Sequence, residues 1–72
     1  MLHQNGWITV VVFQGSTLVV NAYWYSEEKA ARAFQRKVRR EARRDRVTDR
    51  LIACRVRPSY NNEGVGTPVG GS

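Results

Sequence analysis

Between Arg32 and Arg46 the chain reads RAFQRKVRREARRDR, seven arginines and one lysine in fifteen residues. Guanidinium is a planar, permanently charged fork of N–H donors that matches phosphate or carboxylate oxygens, whereas ammonium acts as a point charge. The chemistry on offer is therefore capture of an anion. All twelve basic residues lie between Lys29 and Arg57, where only Glu41, Asp45 and Asp49 oppose them, a local balance of +9 within a net charge of +6. Charge concentrated in this way raises the local concentration of anionic partners, and nucleic acid is the commonest extended polyanion.

Spacing sharpens the point. On a helical wheel Arg32, Arg36, Arg39, Arg43 and Arg46 fall within about 40° of one line, with Lys29 and Arg40 alongside. A helix persisting to Arg46 would carry this stripe for about 21 Å. The pairs Arg32/Arg36, Arg36/Arg40, Arg39/Arg43 and Arg40/Arg44 are like-charged four residues apart, and each costs a few tenths of a kcal/mol. A helix selected only for solubility mixes signs along such a face, as Glu28 with Arg32 and Lys37 with Glu41 do here. The unmixed remainder favours a bound anion over a merely solvated charge face. Such a stripe grips phosphates along a groove and releases counterions without base readout. Gln35, bordering the stripe, is the one good helix candidate for a base edge, which predicts weak sequence preference. The predicted nucleic-acid-binding set is Arg32, Gln35, Arg36, Arg39, Arg40, Arg43 and Arg46, with DNA and RNA both open.

Other chemistries find little purchase. His3 is the only histidine, near a terminus, where solvent exposure is expected rather than a metal or triad role. Cys54 is the only cysteine, so an internal disulfide and a cysteine-based zinc site are excluded and a reducing, cytoplasmic compartment is expected. It alternates with Ile52 and Val56, as a small buried apolar residue would. Glu41, Asp45 and Asp49 recur every fourth residue, but interleaved arginines favour ion pairs over a metal site. No Gly-rich phosphate loop lies between a strand and a helix. The expectation is a binding protein, with no catalytic residue, metal or cofactor.

The elements that must position these groups are legible in outline. A charged share of 25% and a hydrophobic share of 42% suit a folded chain. Trp7 to Phe13 (WITVVVF) is β-branched and aromatic and reads as a strand; Thr17 to Tyr25 (TLVVNAYWY) reads as a second. Gly15-Ser16 between them suits a two-residue type II′ hairpin. That register pairs Gln14 with Thr17 and puts Trp7, Thr9, Val11 and Phe13 on the same face as Leu18, Val20, Ala22 and Trp24. A three-residue loop would reverse the matching. Ser26-Glu27-Glu28 reads as a helix start, with the Ser hydroxyl as cap and two carboxylates at the positive end of the dipole. Ala30, Ala31, Phe34, Val38 and Ala42 form its apolar side, which should end near Ala42 or Arg44, before Asp45. Arg50 to Arg57 (RLIACRVR) alternates as a third strand, and Pro58 is expected to stop its pairing.

The predicted fold is α+β, a β-β-α-β domain over residues 1–58 with a three-stranded antiparallel sheet of order 2-1-3 and one helix on one face. Residues 59–72, SYNNEGVGTPVGGS, read as a flexible Gly-rich tail. One helix covers one sheet face, yet apolar residues occupy both, so Ile8, Val10, Val12 and Val19 are expected to form an interface. Seventy-two residues are also few for a self-sufficient core. Homodimerisation, by sheet packing or by joined edges, answers both points. Tyr23 and Tyr25, if they share a face with Arg55 and Arg57, would make a sheet platform for unpaired bases.

MLHQNGW lacks the charged and apolar regions of a signal peptide, and no apolar run approaches the about 18 residues needed to span a bilayer, so no membrane partner is expected. Small size, arginine richness and a short tail suit a phage or mobile-element protein. The alternative to nucleic acid is an acidic partner protein, engaged by a protein–protein interaction module or inhibitor through its helix or its open sheet face.

Overall fold

A computed structural model describes residues 4–60. Strand β1, Gln4–Gln14, is followed by β2, Leu18–Tyr25, then helix α1, Glu28–Arg44, a single 3-10 turn at Thr48–Arg50, and strand β3, Leu51–Tyr60. The three strands form one antiparallel sheet in the order β2-β1-β3, with α1 packed against it, as the hydrophobic patterning predicts. Of the expected tail, Ser59 and Tyr60 belong to β3; the remaining residues, like His3, lie outside the described residues.

The hairpin register differs from expectation. Gln14 pairs with Leu18, so the loop is Gly15-Ser16-Thr17, closed by a hydrogen bond from the Gly15 N–H to the Thr17 carbonyl at 2.9 Å. One extra loop residue sends every β2 side chain to the other face. Trp7, Thr9, Val11 and Phe13 now share their face with Val19, Asn21, Tyr23 and Tyr25 rather than with Leu18, Val20, Ala22 and Trp24. The reason lies in what this register packs. Tyr23 and Tyr25 set their rings against Phe34 of α1, with centroids 4.6 Å and 5.9 Å away. Trp24, sent to the opposite face, lies over Gly6, where its indole occupies the space of a missing side chain.

Between helix and sheet the buried residues are small: Thr9, Val11, Ala31, Ala42 and Cys54. Small side chains bring the two layers close, and Thr9 uses that proximity to donate its hydroxyl to the Ala31 carbonyl at 2.9 Å. The cost of burying a hydroxyl is thereby offset. Phe34 and Val38 flank this seam half-buried, whereas Ala30, expected on the apolar side, is exposed.

Both helix ends carry corrections. The residue capping the start is Glu27, with no side-chain hydrogen bond, rather than Ser26. The C-terminus closes as a Schellman motif: Val47 N–H reaches the Ala42 carbonyl at 2.9 Å and Arg46 N–H the Arg43 carbonyl at 3.1 Å. Arg46 takes the left-handed conformation this motif requires, with φ 58°.

Pro58 does not end β3; it pairs with Trp7, and the strand continues to Tyr60 opposite Gln4. Strand alternation explains why. Cys54 turns its carbonyl away from β1 toward side chains of the helix, and Pro58, four residues on, shares that outward phase. Its missing N–H therefore removes nothing from the ladder.

Gly6 adopts φ 155°, and a Cβ there would stand 2.5 Å from the Trp24 indole. Gly6→Ala should therefore destabilise the fold by roughly 2 kcal/mol or more through combined backbone strain and overpacking, seen as a lowered thermal or urea midpoint.

Candidate nucleic-acid interface

The helix carrying the basic residues is held by its flank. Gln35 donates its Nε2 to the Cys54 carbonyl at 2.8 Å, and Arg39 donates Nη2 to the same oxygen at 3.1 Å. In return the Cys54 thiol points at the Gln35 carbonyl, 3.9 Å away. This cluster fixes the rotation of α1 against β3 and decides which predicted residues face solvent. Gln35 is committed to the strand edge, so the structure moves it from the base-contacting position expected for it to an anchoring one. Arg39 is exposed, yet one of its donors is likewise committed to the sheet.

The rest of the stripe divides into paired and unpaired groups. Arg32 Nε donates to Glu28 Oε2 at 2.7 Å, an exposed pair four residues apart, and such pairs contribute only a few tenths of a kcal/mol. Arg44 Nε lies 3.5 Å from Asp45 Oδ1, a weak contact between two exposed groups. The expected partnership of Lys37 with Glu41 does not form; Glu41 lies half-buried in a shallow hollow at the C-terminal end of α1 with Phe13, Val38, Asp45 and Leu51. Among the described residues, Lys29, Arg36, Lys37, Arg40 and Arg43 have neither an ion pair nor a side-chain hydrogen bond. Arg36, Arg40 and Arg43 occupy adjoining positions on the solvent side of the helix, within about 60° of arc and 10 Å of axial rise. Arg46 belongs to the cap beyond the helix, so the stripe ends at Arg43.

The sheet residues do not assemble as expected. Tyr23 and Tyr25 pack under the helix with Phe34, while Arg55 and Arg57 pair with Val10 and Ile8 and so project from the opposite, open face. No shared aromatic and arginine platform exists, because the hairpin register separates the two sets. On the open face Ile8, Val10 and Val12 are half-buried. Val19, grouped with them by the sequence, pairs with Phe13 on the helix side. The large apolar side chains most open to solvent are Leu18, Val19, Val20 and Ile52, which lie on the two outer strands rather than at the centre of the face.

Two groups titrate away from their ordinary values. Burial pushes the Cys54 thiol up, partly opposed by the adjacent Arg39 guanidinium. Burial, with Tyr23 adding to it, pushes Tyr25 up as well. No cluster of three or more potential metal ligands occurs among the described residues, and no helix there is long and apolar enough to cross a membrane. Comparison with protein-family models, with curated proteins and with solved structures gave no match.

Two outcomes follow. Arg46→Gly should raise stability by about 1 kcal/mol, since glycine occupies the left-handed position without steric cost, measured by denaturant melts. The raised folded-state value of Cys54 means that its contribution to stability is complete below the ordinary thiol pKa and is lost as pH climbs through the folded one. Melts taken across the alkaline range should fall, and Cys54→Ala should remove the earlier part of the fall while leaving the later part that belongs to Tyr25.

Proposed function

We infer that this protein binds nucleic acid, gripping phosphates with the solvent side of α1 through Arg36, Arg40 and Arg43, with Arg32, Arg39 and Lys29 flanking them. The observation that carries this reading is the division of labour around one helix. Its inner flank is fastened to β3 through Gln35 and Arg39, and its outer guanidiniums are left without intramolecular partners. Like charges held together at a structural cost are what a polyanion would relieve. With Gln35 engaged elsewhere, the interface holds phosphate donors and no base reader on the helix, so binding should depend little on sequence. The protein acts in the cytoplasm as a homodimer on this reading, without catalysis or a cofactor.

Three phosphate contacts, one each from Arg36, Arg40 and Arg43, imply a slope of log affinity against log salt near about −2.7 on duplex DNA, roughly a fortyfold loss between 50 and 200 mM salt, and any contact from the flanking residues steepens it. The double change Arg36→Glu with Arg43→Glu should abolish binding in a mobility-shift series while leaving the circular dichroism unchanged, because neither side chain supports the fold. Undiminished affinity would remove the helix from the interface.

A second reading is favoured by one feature: Arg55 and Arg57 stand beside Ile8 and Val10 on the open face, a mixed basic and apolar surface that suits an acidic protein. One stoichiometric protein retained from nuclease-treated lysate, and lost on Arg55→Glu, would support it over nucleic acid.

A further inference from the structure

The two edges of the sheet are unlike. On β3 the outward carbonyl of Cys54 is taken by Gln35 and Arg39, Pro58 offers no N–H, and Arg55 and Arg57 add charge. These are the devices by which edge strands avoid further pairing. On β2 none is present: LVVNAYWY contains no charge and no proline. Leu18 is 58%, Val19 46% and Val20 63% exposed, so apolar side chains on both faces accompany the open edge.

We propose that the β2 edge pairs antiparallel with β2 of a second copy, joining two sheets into one continuous six-stranded sheet about a two-fold axis through Asn21. The proposal does not depend on what the arginines bind. An open edge calls for another strand, and charge selects which one. In a chain of net charge +6 whose basic residues all lie between Lys29 and Arg57, β2 is the edge at which two copies meet without opposing arginines. The two-fold adds complementarity. Each helix runs back toward its own hairpin, where Ala42 and Asp45 meet Phe13 and Leu51. Antiparallel pairing therefore sets the acidic start of one helix, Glu27 and Glu28, at the same end as the basic close of the other, Arg40, Arg43 and Arg44.

Backbone phase restricts the register to a few two-fold arrangements, of which the one about Asn21 also pairs like with like. Odd-numbered β1 residues turn toward β2, because Cys54, opposite Val11, points away from β1. Leu18, Val20, Ala22 and Trp24 therefore turn their backbone groups outward. An outward residue must face an outward residue, which admits the pairs Val20 with Ala22 and Leu18 with Trp24 across the axis, and Asn21 with Asn21. In that register each exposed Leu18 stands opposite Trp24 of the other copy, and the one polar side chain among Leu18–Tyr25 other than the tyrosines meets its own copy. Both helices lie on the same side of the joined sheet, so both arginine faces point the same way.

Light scattering should give twice the 8.2 kDa chain mass, and Val20→Pro, which removes an outward N–H without touching the β1 ladder, should give the single mass with unchanged circular dichroism. Asn21→Cys should cross-link under mild oxidation into a dimer, since residues facing each other in such a pair stand about 4.5 Å apart; buried Cys54 leaves the new thiol as the reactive one. A wild-type chain that stays monomeric at high concentration overturns the proposal. So does a dimer in which Asn21→Cys fails to cross-link, or one that survives in folded Val20→Pro. If Val20→Pro does not fold, the cross-link alone decides.

Discussion

The register of the β1–β2 hairpin governs the rest of this molecule. Because side chains alternate along a strand, a single residue in the loop decides which half of β2 lies beneath the helix. The three-residue loop brings Tyr23 and Tyr25 to Phe34 and sends Trp24 over Gly6. A two-residue loop would have turned Tyr23 and Tyr25 away from the helix and set Trp24 beside Trp7, next to the narrow seam where Thr9 and Ala31 nearly touch. That seam tolerates only small groups, since the Thr9 hydroxyl must stay within 2.9 Å of a helix carbonyl. Helix placement, the face presented by Arg55 and Arg57, and the exposure of Leu18 and Val20 all descend from that one choice.

A second constraint fixes the helix rotation. The Cys54 carbonyl belongs to an edge strand and has no ladder partner, and an unpaired buried acceptor costs free energy. Two helix side chains supply the donors. This satisfies the acceptor, caps the β3 edge, and leaves Arg36, Arg40 and Arg43, on the side away from buried Ala31 and Ala42, turned to solvent. One group of atoms thus links strand protection to charge presentation, and the small core leaves this polar cluster a large share of the orienting.

Element identity and order were legible because they depend on local pattern: β-branched runs, an alanine-rich amphipathic stretch bounded by acids, an alternating third strand. The sheet order is consistent with the run Trp7 to Phe13, the most apolar of the three, taking the centre, as it does. What local pattern does not carry is phase. Gly15-Ser16 satisfies the rules of a shorter turn, and only the fit of Tyr23 and Tyr25 to Phe34, a contact across the fold, selects the longer one. The role of Gln35 was hidden for the same reason, since its partner is a backbone carbonyl nineteen residues away. Pro58 misled because its effect depends on whether its nitrogen faces the ladder or the edge, which residue type does not state. The Schellman cap at Arg46 was obscured by the absence of the usual glycine.

The basic helix face has an energetic meaning beyond its charge. Four like-charged pairs at a few tenths of a kcal/mol each place about 1 kcal/mol of repulsion on a single helix, in a domain whose fully buried side chains are few and small. The Glu28–Arg32 pair returns little of this, being exposed. The helix is kept folded by its inner side, so the repulsion is stored rather than relaxed by fraying. Any polyanion that binds the folded face and not the unfolded chain removes it, and by mass action adds its own binding free energy to the fold. Affinity and stability are therefore coupled through the same side chains, and the coupling should weaken with salt as fast as the binding does.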